Sequence, residues 1–144
     1  MKKLAIVYWS GTGNTEQMAK AILEGMQQAG ADAQCFEVDQ FSAADMKNFD
    51  GFAFGCSAMG EEVLEESSFE PFFVEAEKSL KDVPVALFGS YGWGGGAWME
   101  AWVERTRNAG AKVFNDGLIV ENAPQDDDLA SCRQLGAEFA KSLG

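Results

Sequence analysis

The chain has no histidine, only three prolines and three cysteines, and few positive charges. Without histidine, the side chain that most often moves protons near neutral pH and ligates metals is missing. No Ser-His pair and no histidine-bearing metal set can form. Cys35, Cys56 and Cys132 are an odd set without C-x-x-C spacing. That disfavours a disulfide framework and a zinc site, so free thiols in a reducing cytoplasm are expected. No apolar stretch approaches the roughly 20 residues a membrane span needs. The opening "MKKLAIVYW" is too short for a leader peptide and reads as a strand. Eleven Lys and Arg stand against 23 Asp and Glu, a formal net charge of −12. This balance repels nucleic acid and anionic membranes. It favours partners with basic surfaces, unless the charge serves only solubility.

What is present is a globular composition, 144 residues of which 47% are hydrophobic, enough for a single domain over 1–144 with a substantial core. Five β-like runs appear: Leu4 to Trp9, Ala33 to Val38, Gly51 to Cys56, Val83 to Gly89, and Lys112 to Val120 with a break near Asn115-Asp116-Gly117. Several are nearly continuous apolar stretches, as parallel strands covered on both faces should be. Between them, apolar residues recur at three and four residue steps. Met18, Ala19, Ile22, Leu23 and Met26 mark one helix, ended by Gly30. Ser42 with Asp45 starts a short second. Phe69, Phe72, Phe73, Ala76 and Leu80 mark a third, and Trp98, Ala101, Trp102 and Arg105 a fourth. Leu129, Cys132, Leu135, Gly136 and Phe139 mark the last. Strict alternation predicts an α/β fold, a three-layer α/β/α sandwich on a five-stranded parallel sheet. Ligands of such sheets bind beyond the carboxyl ends of the strands. That rule selects three segments: Ser10–Thr15, Ser57–Glu62 and Ser90–Gly96.

The first segment, "SGTGNT", combines glycines that let a backbone approach a ligand closely with the donors Ser10, Thr12, Asn14 and Thr15. The helix start that follows offers unpaired N–H groups and a positive dipole end. It is no nucleotide-triphosphate loop, because G-x-x-x-x-G-K-[ST] and its lysine are absent, and no dinucleotide G-x-G-x-x-G, because Glu16 stands where the third glycine belongs. A single terminal phosphate fits; so does a Ser/Thr-rich turn that only caps a helix. The second segment places Ser57 and Ala58, then Met59, Gly60, Glu61 and Glu62, after the third strand. Methionine can lie on an aromatic face, while Glu61, Glu62, Glu65 and Glu66 read as a solvated helix face more readily than as a site. In the third, Trp93 sits among glycines, either as a lid on the core or as a face for a planar ligand. Trp98 and Trp102, one helical turn apart, read as core. Nothing here does acid-base or nucleophilic work, so any chemistry belongs to a bound ring.

At these loops the sequence resembles the short-chain flavodoxins, particularly those of anaerobic bacteria. "YWSGTGNTE" is similar to the family's phosphate loop, "GCSAMGEEVLEE" to its second flavin loop and "ALFGSYGWGGGAWM" to its third. The resemblance covers essentially the whole chain and implies FMN and a sheet of strand order 2-1-3-4-5. It implies that Ser10, Thr12, Asn14, Thr15 and Ser57 hold the 5′-phosphate, with the amides of Gly11 and Gly13 close by. Met59 and Trp93 would cover the two flavin faces, with Ala58 beside the former. Glu62 would accept from the flavin N3–H, and Ser90, Tyr91, Gly92 and Gly94 would line the approach to the pyrimidine edge. The Gly60–Glu61 peptide matches the one that flips when the family's semiquinone forms; glutamate at its second position resists positive φ more than glycine would. The implied role is a low-potential one-electron carrier between redox enzymes, using the semiquinone/hydroquinone couple. It would be cytoplasmic and monomeric, docking basic-surfaced partners through Glu61, Glu62, Glu65, Glu66 and Glu70. An NAD(P)H or quinone reductase of the same fold is the alternative reading. A phospho-receiver domain is discounted, because it wants acids where this chain has Trp9-Ser10-Gly11.

Overall fold

Side chains alternate along β1 (Lys3–Trp9), and each set enters a different core. Leu4, Ile6 and Tyr8 pack with α1 (Asn14–Gln28) and α4 (Asp126–Ser142). Ala5 and Val7 pack with α2 (Phe69–Ala76) and α3 (Ala97–Asn108). This two-residue period places a helical layer on each face of the sheet. The computed structural model describes residues 2–11, 13–58, 64–92 and 96–143. Its strands run in the order β2-β1-β3-β4-β5 and pair in parallel, with β2 at Asp32–Glu37, β3 at Gly51–Cys56, β4 at Pro84–Tyr91 and β5 at Lys112–Val113. A short β6 (Leu118–Glu121) also pairs with β4, so two pieces fill the fifth position.

The expected break in that fifth run has a specific cause. The Leu87 N–H donates to Oδ1 of Asn115 and the Asn115 Nδ2 donates to the Leu87 carbonyl, both at 3.1 Å. The side-chain amide thus stands in for a peptide in the ladder while the chain loops out through Gly117, whose φ is 93°.

Three local expectations change. Val38 does not extend β2; it opens a one-turn 3-10 helix, Val38–Gln40, and keeps its side chain buried. The second helix is 3-10 rather than α, Ala43–Asn48, started by the Ser42 hydroxyl accepting from the Ala44 N–H at 3.2 Å. With only six residues it has no length for a stable α-helix. On α3, Ala101 is exposed; the buried face is Trp98, Met99, Trp102, Val103 and Thr106.

The α2–α3 side is strongly aromatic. Phe69 and Phe73 meet Trp102 edge-on at 5.4 and 5.6 Å, and Phe73 carries the Arg105 guanidinium over its ring at 4.9 Å. The same guanidinium forks onto Glu70 at 2.7 and 2.8 Å and onto Glu77 at 2.9 Å. Those two carboxylates hold Arg105 charged well beyond the ordinary arginine range. Glu70, expected on a docking rim, is therefore committed to a helix–helix clamp. Among the described residues, no helix is long and apolar enough to cross a membrane.

Candidate functional site

Parallel pairing brings the carboxyl ends of β1, β3, β4 and β6 to one edge, and there the chain leaves a cavity of about 410 Å³. Its lining is Trp9, Gly11, Asn14, Ser57, Ala58, Ser90, Tyr91, Gly92 and Asn122. None of these described lining residues carries a charge. The size falls within the range for small-molecule sites.

Each wall has a structural cause. The loop after β1 crosses the Trp9 indole so closely that a Cβ at Gly11 would lie 2.9 Å from the ring, so a larger residue there requires the indole to shift. The Ser10 hydroxyl accepts from the Gly13 N–H at 3.0 Å, closing a tight turn. Gly13, with φ 95°, is the N-cap of α1, and no side chain caps that end. The first N–H groups of the helix are thereby left to a ligand or to water. The Ala58 N–H donates to the Ser90 carbonyl at 3.0 Å, tying the second loop to β4. The Asn122 N–H donates to the Tyr91 carbonyl at 2.8 Å, and Asn122 itself sits at φ 59°. That left-handed backbone is one asparagine tolerates, and it turns the chain at the cavity wall.

Behind the lining lies a cluster of hydroxyls. Thr15 Oγ1 is 2.7 Å from Ser57 Oγ and 3.0 Å from Ser90 Oγ, and accepts the Ser90 N–H at 3.2 Å. Thr15 is fully buried and Ser90 nearly so. Tyr8 donates to Glu16 at 2.9 Å; burial first, and then that carboxylate, raise its pKa far above the tyrosine range. The thiols offer no nucleophile. Burial pushes Cys35 up to about 11 and Cys56 and Cys132 up to about 12, and all three are free. Among the described residues, no group of three His, Cys, Asp or Glu side chains could hold a metal ion.

Of the residues singled out from sequence, the cavity gathers Gly11, Asn14, Ser57, Ala58, Ser90, Tyr91 and Gly92. Ser10 and Gly13 form the turn beside it, and Thr15 lies behind it. Thr12, Met59, Gly60, Glu61, Glu62, Trp93 and Gly94 lie outside the described residues. Two lining residues had not been singled out. Trp9 ends the first strand and opens the loop without being assigned a contact by the sequence. Asn122 follows the fifth strand, and the carboxyl-end rule applied to that strand as to the others would have selected it. One acidic assignment is corrected: Glu65 is not on a solvated rim but buried, 7% exposed, with its carboxylate accepting the N–H groups of Ser67, Ser68 and Phe69.

This arrangement can seat an anion among neutral donors and helix-start amides, with aromatic and glycine walls beside it for a flat group. Comparison with known proteins agrees in kind. A model of the flavodoxin family matches residues 6–136. A flavodoxin of Megasphaera elsdenii is 44% identical over 137 residues, spanning 95% of this chain and 98% of that protein. One of Clostridium beijerinckii is 46% identical over 137 residues, spanning 95% and 99%. The solution structure of the two-electron reduced M. elsdenii flavodoxin superposes with a TM-score of 0.85 over 96% of this chain and 98% of that one, at 44% identity.

Proposed function

The chain belongs to the flavodoxin family, and from that premise we propose how its cavity serves electron transfer. It is an FMN-binding electron carrier, not an enzyme with a substrate of its own. The residues present fit the cofactor. A glycine path over Trp9, an uncapped α1 start and the hydroxyls of Ser10 and Ser57 suit a terminal phosphate. Asn122, Ser90 and the Gly92 backbone suit the polar chain and ring edge beyond it.

Bound FMN supplies the ring that takes and gives electrons; the chain supplies position and field. The single observation that carries this reading is a cavity at the end of a parallel sheet whose described lining is uncharged and includes the donors Asn14, Ser57 and Ser90. A net charge of −12 with no cation in the described lining makes added negative charge at the ring unfavourable, which lowers the potential at which the second electron enters. The remaining roles are those of the resemblance: Thr12 at the phosphate, Met59, Trp93 and Gly94 about the ring, and Gly60, Glu61 and Glu62 along its edge.

The test is a reconstitution. Apo-protein is expected to bind FMN much more tightly than riboflavin, which lacks the phosphate. Stepwise anaerobic reduction of the complex, followed by visible absorbance, is expected to proceed in two separated one-electron steps. Direct two-electron reduction, or equal affinity for the two flavins, would overturn the reading.

The protein acts as a single copy in the reducing cytoplasm, consistent with its free thiols, and docks on basic-surfaced redox enzymes. With Glu65 buried and Glu70 clamped, the exposed Glu66 and the wider surface charge carry that docking. Electron transfer to such a partner is expected to slow severalfold from about 0.01 to about 0.15 M salt, as the screening length shrinks from roughly 30 to roughly 8 Å. A rate that does not respond to salt would remove the docking proposal.

A further inference from the structure

The two stretches to which the resemblance assigns the flavin faces each join a strand to a helix: 59–63 lies between β3 and α2, and 93–95 between β4 and α3. On the strand side these joins are fixed to each other. β3 and β4 pair in parallel, and the Ala58 N–H donates to the Ser90 carbonyl at 3.0 Å. On the helix side the link is Arg105 of α3. Its guanidinium forks onto Glu70, in the first turn of α2, at 2.7 and 2.8 Å, and onto Glu77, the C-cap of α2, at 2.9 Å. One side chain therefore holds α2 at both ends. The Phe73 ring lies 4.9 Å from the same guanidinium, and Trp102 of α3 meets Phe69 and Phe73 edge-on.

A slot for a flat ring binds well when its two sides already stand at the right separation, because sides free to part must be ordered at the moment of binding. The strand ends fix one side of such a frame. Without a second tie the helix ends could rock against each other. Arg105 stands eight residues beyond Ala97, about 12 Å along a hydrogen-bonded helix that moves as one piece. We propose that Arg105 is a positioning residue for the flavin: by forking onto both ends of α2 it completes the frame and sets the separation of the two loops that enclose the ring. Lysine cannot replace it, being a point charge without the planar fork that engages two carboxylates at once. This inference rests on the proposal that a flavin occupies the cavity.

Flavin titration of the apo-protein and stepwise anaerobic reduction of the complex test it on Arg105→Lys, which keeps the charge and loses the fork. FMN and riboflavin are both expected to bind about fivefold more weakly, the scale of ordering one or two side chains, because the frame holds the ring that the two share. The gap between the two one-electron potentials is expected to narrow. Arg107→Gln removes a charge from the same helix, at a side chain paired with the exposed Asp116, and is expected to leave affinity and gap unchanged. A lowered urea midpoint with unchanged affinity and potentials in Arg105→Lys would mark a merely structural clamp and overturn the inference. So would a loss confined to FMN, which would place the effect at the phosphate, or an equal narrowing in Arg107→Gln, which would assign it to charge. If lysine prevents folding, Glu77→Gln releases one arm of the fork; it is expected to weaken both flavins alike by about twofold, and no loss there would equally overturn the inference. Were the unaltered protein to bind neither flavin, the flavin assignment itself would be what failed.

Discussion

Gly136→Ala is expected to destabilise the protein by about 3 kcal/mol, at the upper end of what overpacking a tight core costs. The sign is the informative part, because glycine to alanine within a helix ordinarily gains about 1 kcal/mol. Here α1 and α4 cross backbone against backbone. A Cβ on Gly136 would overlap the Ile22 carbonyl oxygen and lie 3.0 Å from its carbon and 3.1 Å from the Met26 nitrogen. Reciprocally, a Cβ on Gly25 would overlap the carbonyl of Arg133. Backbone atoms cannot swing away as a side-chain tip can, so relief requires the helices to separate. That opens the packing of Ile22, Met26, Cys132 and Phe139, all fully buried. Since α1 also starts at the turn proposed to hold the phosphate, FMN binding should weaken with it. Urea unfolding of the apo-protein measures the effect, and a variant as stable as the parent would show that the close crossing is not required.

Gly136 also shows what the sequence could and could not convey. Its place on the apolar face of the last helix follows from spacing; the carbonyl opposite it does not, because the partner lies more than a hundred residues away in the chain. The same division holds elsewhere. Gly51–Cys56 is legible as a strand because all six of its residues are buried and read as one apolar run. Asn115 is legible as a break, but not as an amide taking a peptide's place beside Leu87. At the site, the strand-end rule found the loops that bear glycines and hydroxyls. Applied to the fifth strand, the same rule selects Asn122 by position, while its left-handed backbone, with φ 59°, is visible only in the structure. Thr15 could be placed in the loop but not behind it, since composition does not say which way a side chain faces. Glu65 was misplaced for the same reason, lying in an acidic run whose members look alike until one of them turns inward.

Glu65→Ala is expected to cost about 3 kcal/mol, more than the loss of an ordinary helix cap, because this one residue satisfies the whole entry to α2. Its carboxylate accepts from Ser67 at 2.7 Å through Oε2, and from Ser68 at 2.7 Å and Phe69 at 3.0 Å through Oε1. Its carbonyl accepts the Glu70 N–H at 2.8 Å, and Pro71, next in the helix, has no N–H to satisfy. Ser68 occupies the N-cap position but makes no side-chain cap bond, so nothing nearby takes over when the carboxylate is removed. The orphaned Phe69 N–H, at a buried residue, costs about 1 to 3 kcal/mol, while the Ser67 and Ser68 donors, exposed and half-buried, add less because water reaches them. Glu65→Gln separates charge from shape. Its amide oxygen can keep the Ser68 and Phe69 bonds while its NH2 faces the Ser67 donor, for an expected loss of about 1.5 kcal/mol near neutral pH. The pH dependence then follows from the carboxyl group. Burial alone would raise its pKa, but the N–H groups of Phe69, Ser68 and Ser67 outweigh burial and hold it below the ordinary value of 4.5. A carboxyl whose folded pKa is depressed contributes stability that is full above its unfolded value and lost as pH falls through the folded one. The gap between the parent and Glu65→Gln should therefore be constant from about pH 7 to about pH 5.5 and close as the pH drops below about 4.5. Urea midpoints of both proteins across that range read it directly. A gap that persists or widens in acid would mean that the anionic carboxylate is not what holds the start of α2.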